Sequence, residues 1–152
     1  MDNALWQFSL SVYRKPAVES FCLHIQDRYN VEINYLLYGA WQASVGYCVD
    51  EAHIQALAKA MEPWRRDVVI PLRTLRYAWR QRLDVTDLRR QIKGIELEAE
   101  KRFQQQIWQF SQRVELPLGA RLTTNLQAVL LAQGLVHHTA AMLADELAKQ
   151  LV

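Results

Sequence analysis

The residues best suited to chemistry lie in a basic stretch from Trp64 to Lys93. It holds eight Arg and one Lys against three Asp, a formal charge of +6, so the rest of the chain sums to −4 to give the net charge of +2. On a helical wheel one side of this stretch is apolar, and a second side, centred roughly 125° away, is a row of guanidinium groups. The apolar side holds Trp64, Val68, Leu72, Leu75 and Trp79, and the row holds Arg66, Arg73, Arg76 and Arg80.

The arginine row leaves three interpretations open. The first is an interaction or adaptor module for a protein partner or another copy of this chain, because arginine and aromatic residues are enriched at interface hot spots. Apolar residues off the main helical stripes would extend that surface, and they are Leu97, Trp108, Tyr35 and Tyr38. The second is RNA or DNA binding through Arg65, Arg66, Arg73, Arg76, Arg80, Arg82, Arg89, Arg90 and Lys93. The third is a solvated face whose arginines pair with Glu96, Glu98, Glu100 or Asp67.

A polar site at a helix junction is a further hypothesis. Asp27 lies near the C-terminal end of its predicted helix, where the helix dipole disfavours a carboxylate, so it needs a compensating partner. The candidates are Arg28, the N–H groups near Asn34 and an arginine of the basic stretch. Asp27, Asn34 and Arg73 therefore form either a brace between two helices or the centre of a small-ligand or enzyme site.

Metal and cofactor chemistry finds little support elsewhere in the sequence. Glu96 and Glu100 have the spacing at which two carboxylates converge, but a di-iron bundle also needs Glu-x-x-His motifs, and the chain has none. The cysteines form no Cys-x-x-Cys pair, and the histidines lack metal-ligand spacing. Neither a Walker A motif nor a Gly-x-Ser-x-Gly, His-Glu-x-x-His or Gly-x-Gly-x-x-Gly motif occurs. We therefore predict no catalytic residue, no metal and no cofactor.

Composition places the chain among ordinary globular domains. With 152 residues, of which 51% are hydrophobic and 22% charged, it can bury a core without metals or disulfides. We predict one helical domain over residues 1–152. A signal peptide and a membrane span are not expected, because no apolar run has the required length and flanking charges. Cys22 and Cys48 fit two free thiols in a reducing compartment, so we expect a cytoplasmic protein.

The periodicity predicts an all-α bundle of about six to seven helices, since apolar residues recur at three- and four-residue spacing almost throughout. The longest helix should span about 86–114, and the basic helix should begin at Pro63 and kink or divide at Pro71. Asn3 and Asp50 are expected to cap helix N-termini, and Asn30 is expected to take the left-handed conformation after the second helix.

Several segments carry a resemblance to a known family. In chain order they are LWQFSLSVYRKPAVE (5–19), LHIQDRYNVEINYLLYGAW (23–41), PWRRDVVIPLRTLR (63–76) and IKGIELEAE (92–100). With them, residues 4 to 104 resemble DUF2390, an uncharacterised proteobacterial family of conserved hypothetical proteins. The chain departs from the family's pattern at Asn30, where Gly is usual, and at Glu32, where Asp is common. The resemblance implies a small soluble helical protein and supplies no activity.

Overall fold

The computed structural model describes residues 2–119 and 121–152, which form helices joined by short loops. The helices are α1 (Ala4–Tyr13), α2 (Pro16–Tyr29), α3 (Ile33–Ser44), α4 (Glu51–Trp64), α5 (Ile70–Ala78), α6 (Thr86–Ser111), α7 (Leu122–Ala132) and α8 (His137–Leu151). A π-helical turn (Arg65–Val69) joins α4 to α5, and a 3₁₀ turn (Leu83–Val85) precedes α6. Because α4, the π turn and α5 are continuous, the described residues form seven helical rods, which confirms the predicted all-α bundle. None of these helices is both long enough and apolar enough to cross a membrane.

The centre of the bundle is α3, which contacts α1 and α7. Its residues from Ile33 to Gln42 are all buried, so this helix has no solvent side. Tyr35 and Tyr38 are only 3% and 0% exposed. The prediction that they extend an interaction surface is therefore wrong, because neighbouring helices surround α3 and bury the residues that lie off its main stripe.

Contact between α3 and α7 depends on a missing side chain. A Cβ atom added to Gly39 would lie 2.8 Å from Cγ2 of Val129, a distance that real Cβ atoms essentially never show. The two helices therefore come this close because position 39 is glycine.

A buried amide fixes the other side of this junction. Asn125 is fully buried, and its Nδ2 donates to the carbonyl oxygens of Gly39 and Tyr47 at 3.0 and 2.9 Å. Its Oδ1 accepts from the backbone N–H of Val49 at 3.1 Å. One side chain thus satisfies three backbone groups and ties α7 to α3 and to the loop after it.

The predicted caps are confirmed. The side chain of Asn3 accepts from the backbone N–H of Trp6 at 2.8 Å, and that of Asp50 accepts from His53 at 2.8 Å. Asn30 follows α2 with a φ of 55°, the left-handed conformation that asparagine tolerates.

The basic stretch folds differently from its prediction at its start. A new helix does not begin at Pro63, because α4 runs through this residue to Trp64. The helix does not divide at Pro71, but its α-helical path changes to a π turn just before this residue, in which the N–H of Ile70 bonds to the carbonyl of Arg65. Pro71 has no N–H that could bond back to this turn, which agrees with an irregular turn at this place.

Helix α5, the 3₁₀ turn and the first half of α6 form a hairpin that we call the arm (residues 70–98). Not one residue of the arm is buried, and the buried stripe of α6 starts only at Ala99. The long helix ends at Ser111 rather than near Val114, which lies in the following loop and is 37% exposed. The arm consequently lacks a hydrophobic core of its own.

Candidate functional site

Charged residues converge where the arm joins the rest of the bundle, and Glu32 lies at their centre. The side chain of Glu32 is only 1% exposed. Because Glu32 is the N-cap residue of α3, its Oε2 accepts from the backbone N–H and from Nδ2 of Asn34, at 3.2 and 3.1 Å. The carboxylate thus lies at the positive end of the α3 dipole, which favours its charged form.

Two arginines of the basic stretch reach Glu32 because of the π turn. Arg65 and Arg73 would lie roughly 80° apart around an uninterrupted α-helix, but the extra residue of a π turn changes this angle by about 100° and leaves them only about 20° apart. Both therefore face Glu32. Nε of Arg65 lies 2.8 Å from Oε1, while Nη1 and Nη2 of Arg73 lie 2.9 and 3.0 Å from Oε1 and Oε2.

Arg73 also binds a carboxylate of α6. Its Nε donates to Oε1 of Glu100 at 2.9 Å, and its Nη2 lies 2.8 Å from the same oxygen. One guanidinium group therefore lies between two carboxylates, one from α3 and one from α6. Its side chain is 16% exposed, and that of Glu100 is 20% exposed, so the contacts are largely shielded from water.

Amide and hydroxyl groups continue this arrangement into the bundle. Nδ2 of Asn34 donates to Oε2 of Glu100 at 2.7 Å, and its Oδ1 accepts from Nε2 of Gln104 at 2.9 Å. Oε1 of Gln104 in turn accepts from the hydroxyl of Ser9 at 3.0 Å. We call the connected set the Arg73 network, and its members are Ser9, Glu32, Asn34, Arg65, Arg73, Glu100 and Gln104.

The two carboxyl groups respond differently to the same arginine. Burial opposes ionisation of Glu32, but the hydrogen bonds and charges of Arg73 and Arg65 outweigh it, so the pKa of Glu32 lies below its ordinary value. Burial raises the pKa of Glu100, because the charge of Arg73 only partly offsets desolvation and the charge of Glu32. Arg73 itself keeps its proton, since the two glutamates outweigh its burial and raise its pKa.

Further polar contacts join the two helices of the arm above this network. Arg76 pairs through Nε with Glu96, one turn away from Arg73 and Glu100 on each helix. Nε of Arg89 donates to the carbonyl of Arg76 at 3.0 Å. The arm is therefore held at its base and along one side by charged and polar groups rather than by a hydrophobic core.

A cleft of about 400 Å³ adjoins the Arg73 network. Residues of α1, α2, α3, α5 and α6 line it, and its charged residues are Glu19, Arg73, Arg76, Glu96 and Glu100. A larger hollow of about 560 Å³ lies at the other end of α3, but the only carboxylate in its lining is Glu115 and the lining has no cation. We therefore regard the smaller cleft as the better ligand site. Within the described part of the chain, no three His, Cys, Asp or Glu side chains are grouped so that they could hold a metal ion.

Comparison with known proteins gives a family. The family model described as a protein of unknown function, DUF2390, matches residues 4–107. The chain belongs to the DUF2390 family. No curated protein and no solved structure matches the chain. The matched region contains every residue of the Arg73 network and the whole arm, whereas α7 and α8 lie outside it.

The arginine row of this DUF2390 chain is split among different surroundings. Arg73 pairs with Glu100 and Arg76 pairs with Glu96, as expected from the interpretation in which the arginines pair with carboxylates of the same chain. Arg66 is exposed and pairs with Asp67 at 2.8 Å. The guanidinium of Arg80 lies 3.8 Å from the ring centroid of exposed Tyr77. Trp108 is partly buried against the core.

The structure brings together only part of the predicted polar site. Asn34 and Arg73 are connected through Glu32 and Glu100. Asp27 is exposed and lines a separate hollow of about 310 Å³ that Arg73 also lines. Asp27 is therefore a neighbour of the Arg73 network and not one of its members.

Sequence reasoning on this family member missed Glu32, the residue on which the network depends. The sequence did contain one indication of its role, because Glu32 directly precedes the apolar run of α3 and this is an N-cap position. Gln104 and Ser9 had no signal, because their pairing joins residues far apart in the chain.

Proposed function

We propose that this chain is a protein-interaction module that binds a second copy of itself through the apolar side of the arm. The observation that carries the proposal is the absence of any buried residue from 70 to 98, although this segment is rich in large apolar side chains. The two helices of the arm face each other through charged pairs, so their apolar sides have no partner in the hairpin, and amphipathic helices gain most of their stability by packing such a side.

Six large apolar residues of the arm lie on one side of it. On a helical wheel counted from the N-terminus, those on α5 precede Arg73 and Arg76 in angle, and those on α6 precede Glu96 and Glu100. These four charged residues face one another across the hairpin. Because the two helices run in opposite directions, residues that precede the facing charges by the same angle on each helix lie on the same side of the hairpin. We call this side the apolar strip, and it comprises Leu72, Leu75, Trp79, Leu88, Ile92 and Ile95.

The strip is partly exposed and has the spacing of a helix-packing seam. Leu88 is 45% exposed and Ile95 is 53% exposed, and the other four residues are half-buried. Leu88, Ile92 and Ile95 follow one another at intervals of four and three residues, which is the d-a-d pattern of a coiled coil. Such a seam favours another helix as its partner.

Charge favours a second copy in antiparallel orientation. On α6, Asp87 lies beside the strip near the tip of the arm, and Arg102, whose pair with Glu98 at 3.3 Å is exposed, lies on the same helix near the base. Antiparallel packing would place Asp87 opposite Arg102 of the second copy, twice by symmetry. It would also keep the two bundles at opposite ends of the paired arms. The strip is short, so we expect a dissociation constant on the order of micromolar.

The self-association can be tested by sedimentation equilibrium. The wild type should show a concentration-dependent dimer, and Ile95→Glu should be monomeric, because the change buries a charge in the seam. Leu97→Glu is the matched control, since it makes the same kind of change on the same helix, at a residue that is 60% exposed and lies off the strip. Circular dichroism of each variant would show that the helices are retained.

Two results would refute the proposal. One is a wild-type protein that remains monomeric up to about 100 µM, well above the expected dissociation constant. The other is that Ile95→Glu and Leu97→Glu weaken dimerisation equally, because association would then not depend on the strip. If the wild type is monomeric but binds a purified, identified protein, and Ile95→Glu is the one variant that fails to bind it, the partner of the apolar strip is that protein and not a second copy.

A second candidate function, nucleic-acid binding, is favoured by the other side of the arm. Arg80, Arg90 and Lys93 are exposed, and in the described residues none has a carboxylate within ion-pair distance. If each of these three cations neutralises one phosphate, a plot of the logarithm of the binding constant against the logarithm of the salt concentration has a slope no steeper than about −2.7. Fluorescence anisotropy with a labelled oligonucleotide would test it, and no binding at low salt would exclude it.

A further inference from the structure

The cleft beside the Arg73 network has an apolar mouth and a charged interior. Leu10, Leu23 and Leu97 line it and are 44%, 48% and 60% exposed. Trp6 and Tyr13 add aromatic surface. Sites for small amphipathic molecules combine apolar walls with a few convergent polar groups, and this cleft of about 400 Å³ falls in their size range.

Arg76 differs from Arg73 in the number of carboxylates that it binds. The two arginines are one turn apart on α5, and their partners Glu96 and Glu100 are one turn apart on α6. Arg73 has a second carboxylate, that of Glu32. Across residues 2–119 and 121–152, Arg76 donates only through Nε, and Nη1 and Nη2 make no hydrogen bond. Its side chain is 30% exposed, so these groups are accessible from the cleft.

We propose that the cleft binds an amphipathic monocarboxylate, such as a medium-chain fatty acid. Its carboxylate would take Nη1 and Nη2 of Arg76, and thereby repeat the arrangement in which Arg73 bridges two carboxylates. Its hydrocarbon chain would lie against Trp6, Leu10 and Leu97. This site is separate from the apolar strip, which lies on the other side of the arm.

The spare edge of Arg76 is where the cleft can take an anionic head group. Glu96 and Glu100 already pair with Arg76 and Arg73, and the remaining acid in the lining, Glu19, is an exposed residue of α2. Arg89 adds a second cation next to Arg76, because it donates to the Arg76 carbonyl. An added carboxylate would therefore find its positive partner at the spare guanidinium edge of Arg76.

Isothermal titration calorimetry with decanoate, below its critical micelle concentration and near pH 8, tests the site. The wild type should bind one decanoate per chain, and decylamine, with the same chain and opposite charge, should bind at least tenfold more weakly. Arg76→Gln should weaken decanoate binding at least tenfold. Arg113→Gln, an exposed change in the loop after α6, should leave it unchanged.

A second variant guards against misfolding of Arg76→Gln. Leu97→Glu alters an exposed residue, so we expect a folded protein whose new carboxylate repels decanoate and weakens binding at least tenfold. Equal affinities for decanoate and decylamine would overturn the proposal, as would no heat of binding with the wild type. Unchanged decanoate binding in a folded Arg76→Gln variant would also overturn it. Sedimentation of Arg76→Gln separates this site from the strip, because dimerisation should persist.

Discussion

Replacing Arg73 by leucine should be among the most destabilising single changes in this chain. Arg73→Leu leaves Glu32 and Glu100 facing each other with one arginine, Arg65, which pairs with Glu32 and Glu62 but not with Glu100. Breaking a buried ion pair by removing one partner costs about 3–5 kcal/mol, because the remaining charge is left uncompensated. A domain of this size is stable by about 5–15 kcal/mol, so the variant should fold but unfold roughly 6–20 °C lower.

The pH dependence of that loss tests its cause. In the wild type the pKa of Glu32 is lowered, so its contribution to stability is present above its unfolded pKa and is lost as pH falls through its folded pKa. The pKa of Glu100 is raised, which gives the opposite sign: its contribution is present below its unfolded pKa and is lost as pH rises through its folded pKa. Without Arg73 both pKa values should rise. The destabilisation should therefore shrink as pH is lowered from 7 to 5.

Urea denaturation followed by circular dichroism at pH 5 and pH 7 measures both effects. Arg66→Leu is the control, because its pair with Asp67 is exposed and should contribute no measurable stability. Adding Glu100→Gln to Arg73→Leu should recover part of the lost stability, since one of the two opposed charges is removed. A cost of Arg73→Leu below about 1 kcal/mol, or a cost that is the same at both pH values, would refute the reasoning.

Three further changes test other parts of the fold. Asn125→Leu should cost about 3 kcal/mol or more in urea denaturation, because it leaves three backbone groups without their partner; a cost below about 1 kcal/mol would contradict this. Gly39→Ala should lower the free energy of unfolding by about 1–3 kcal/mol. Adding Val129→Ala should recover part of that loss, because it removes the clashing Cγ2 atom. Additive losses of unfolding free energy in the double variant would contradict this. Burial lowers the pKa of His53, so stability should fall as pH drops below about 6.5 and should fall less in His53→Gln; identical pH profiles of thermal unfolding would contradict this.

Much of the fold follows from local sequence rules. The recurrence of apolar residues at three- and four-residue spacing predicted the long helix, and the caps at Asn3 and Asp50 followed from side chains that accept backbone N–H bonds. The start of a helix at Pro63 was predicted wrongly. Proline fits the first turn of a helix, but it can also lie inside a longer helix. Its location inside α4 depends on the packing of α4 against α6 and α7.

The candidate site was predictable only in fragments. The charges of Arg73 and Glu100 were evident, but a wheel with a constant 100° per residue cannot show that Arg65 and Arg73 share a face. That alignment needs the π turn, which neither composition nor periodicity indicates. The same turn buries Val69, whereas the predicted stripe contained Val68. The prediction of one domain over residues 1–152 stays a prediction.

Disulfide cross-linking tests antiparallel pairing of the arms most directly. The single variants Leu88→Cys and Ile95→Cys, each in a Cys48→Ser background, would be oxidised separately at micromolar concentration. Cys22 is buried and should remain unreactive. When Asp87 lies opposite Arg102 of the second copy, position 95 of one copy lies beside position 95 of the other, whereas the two copies of position 88 lie about 20 Å apart along the helix. We therefore expect Ile95→Cys to cross-link into a dimer and Leu88→Cys to remain a monomer. Equal cross-linking of the two variants, or no cross-linking of either, would contradict antiparallel pairing.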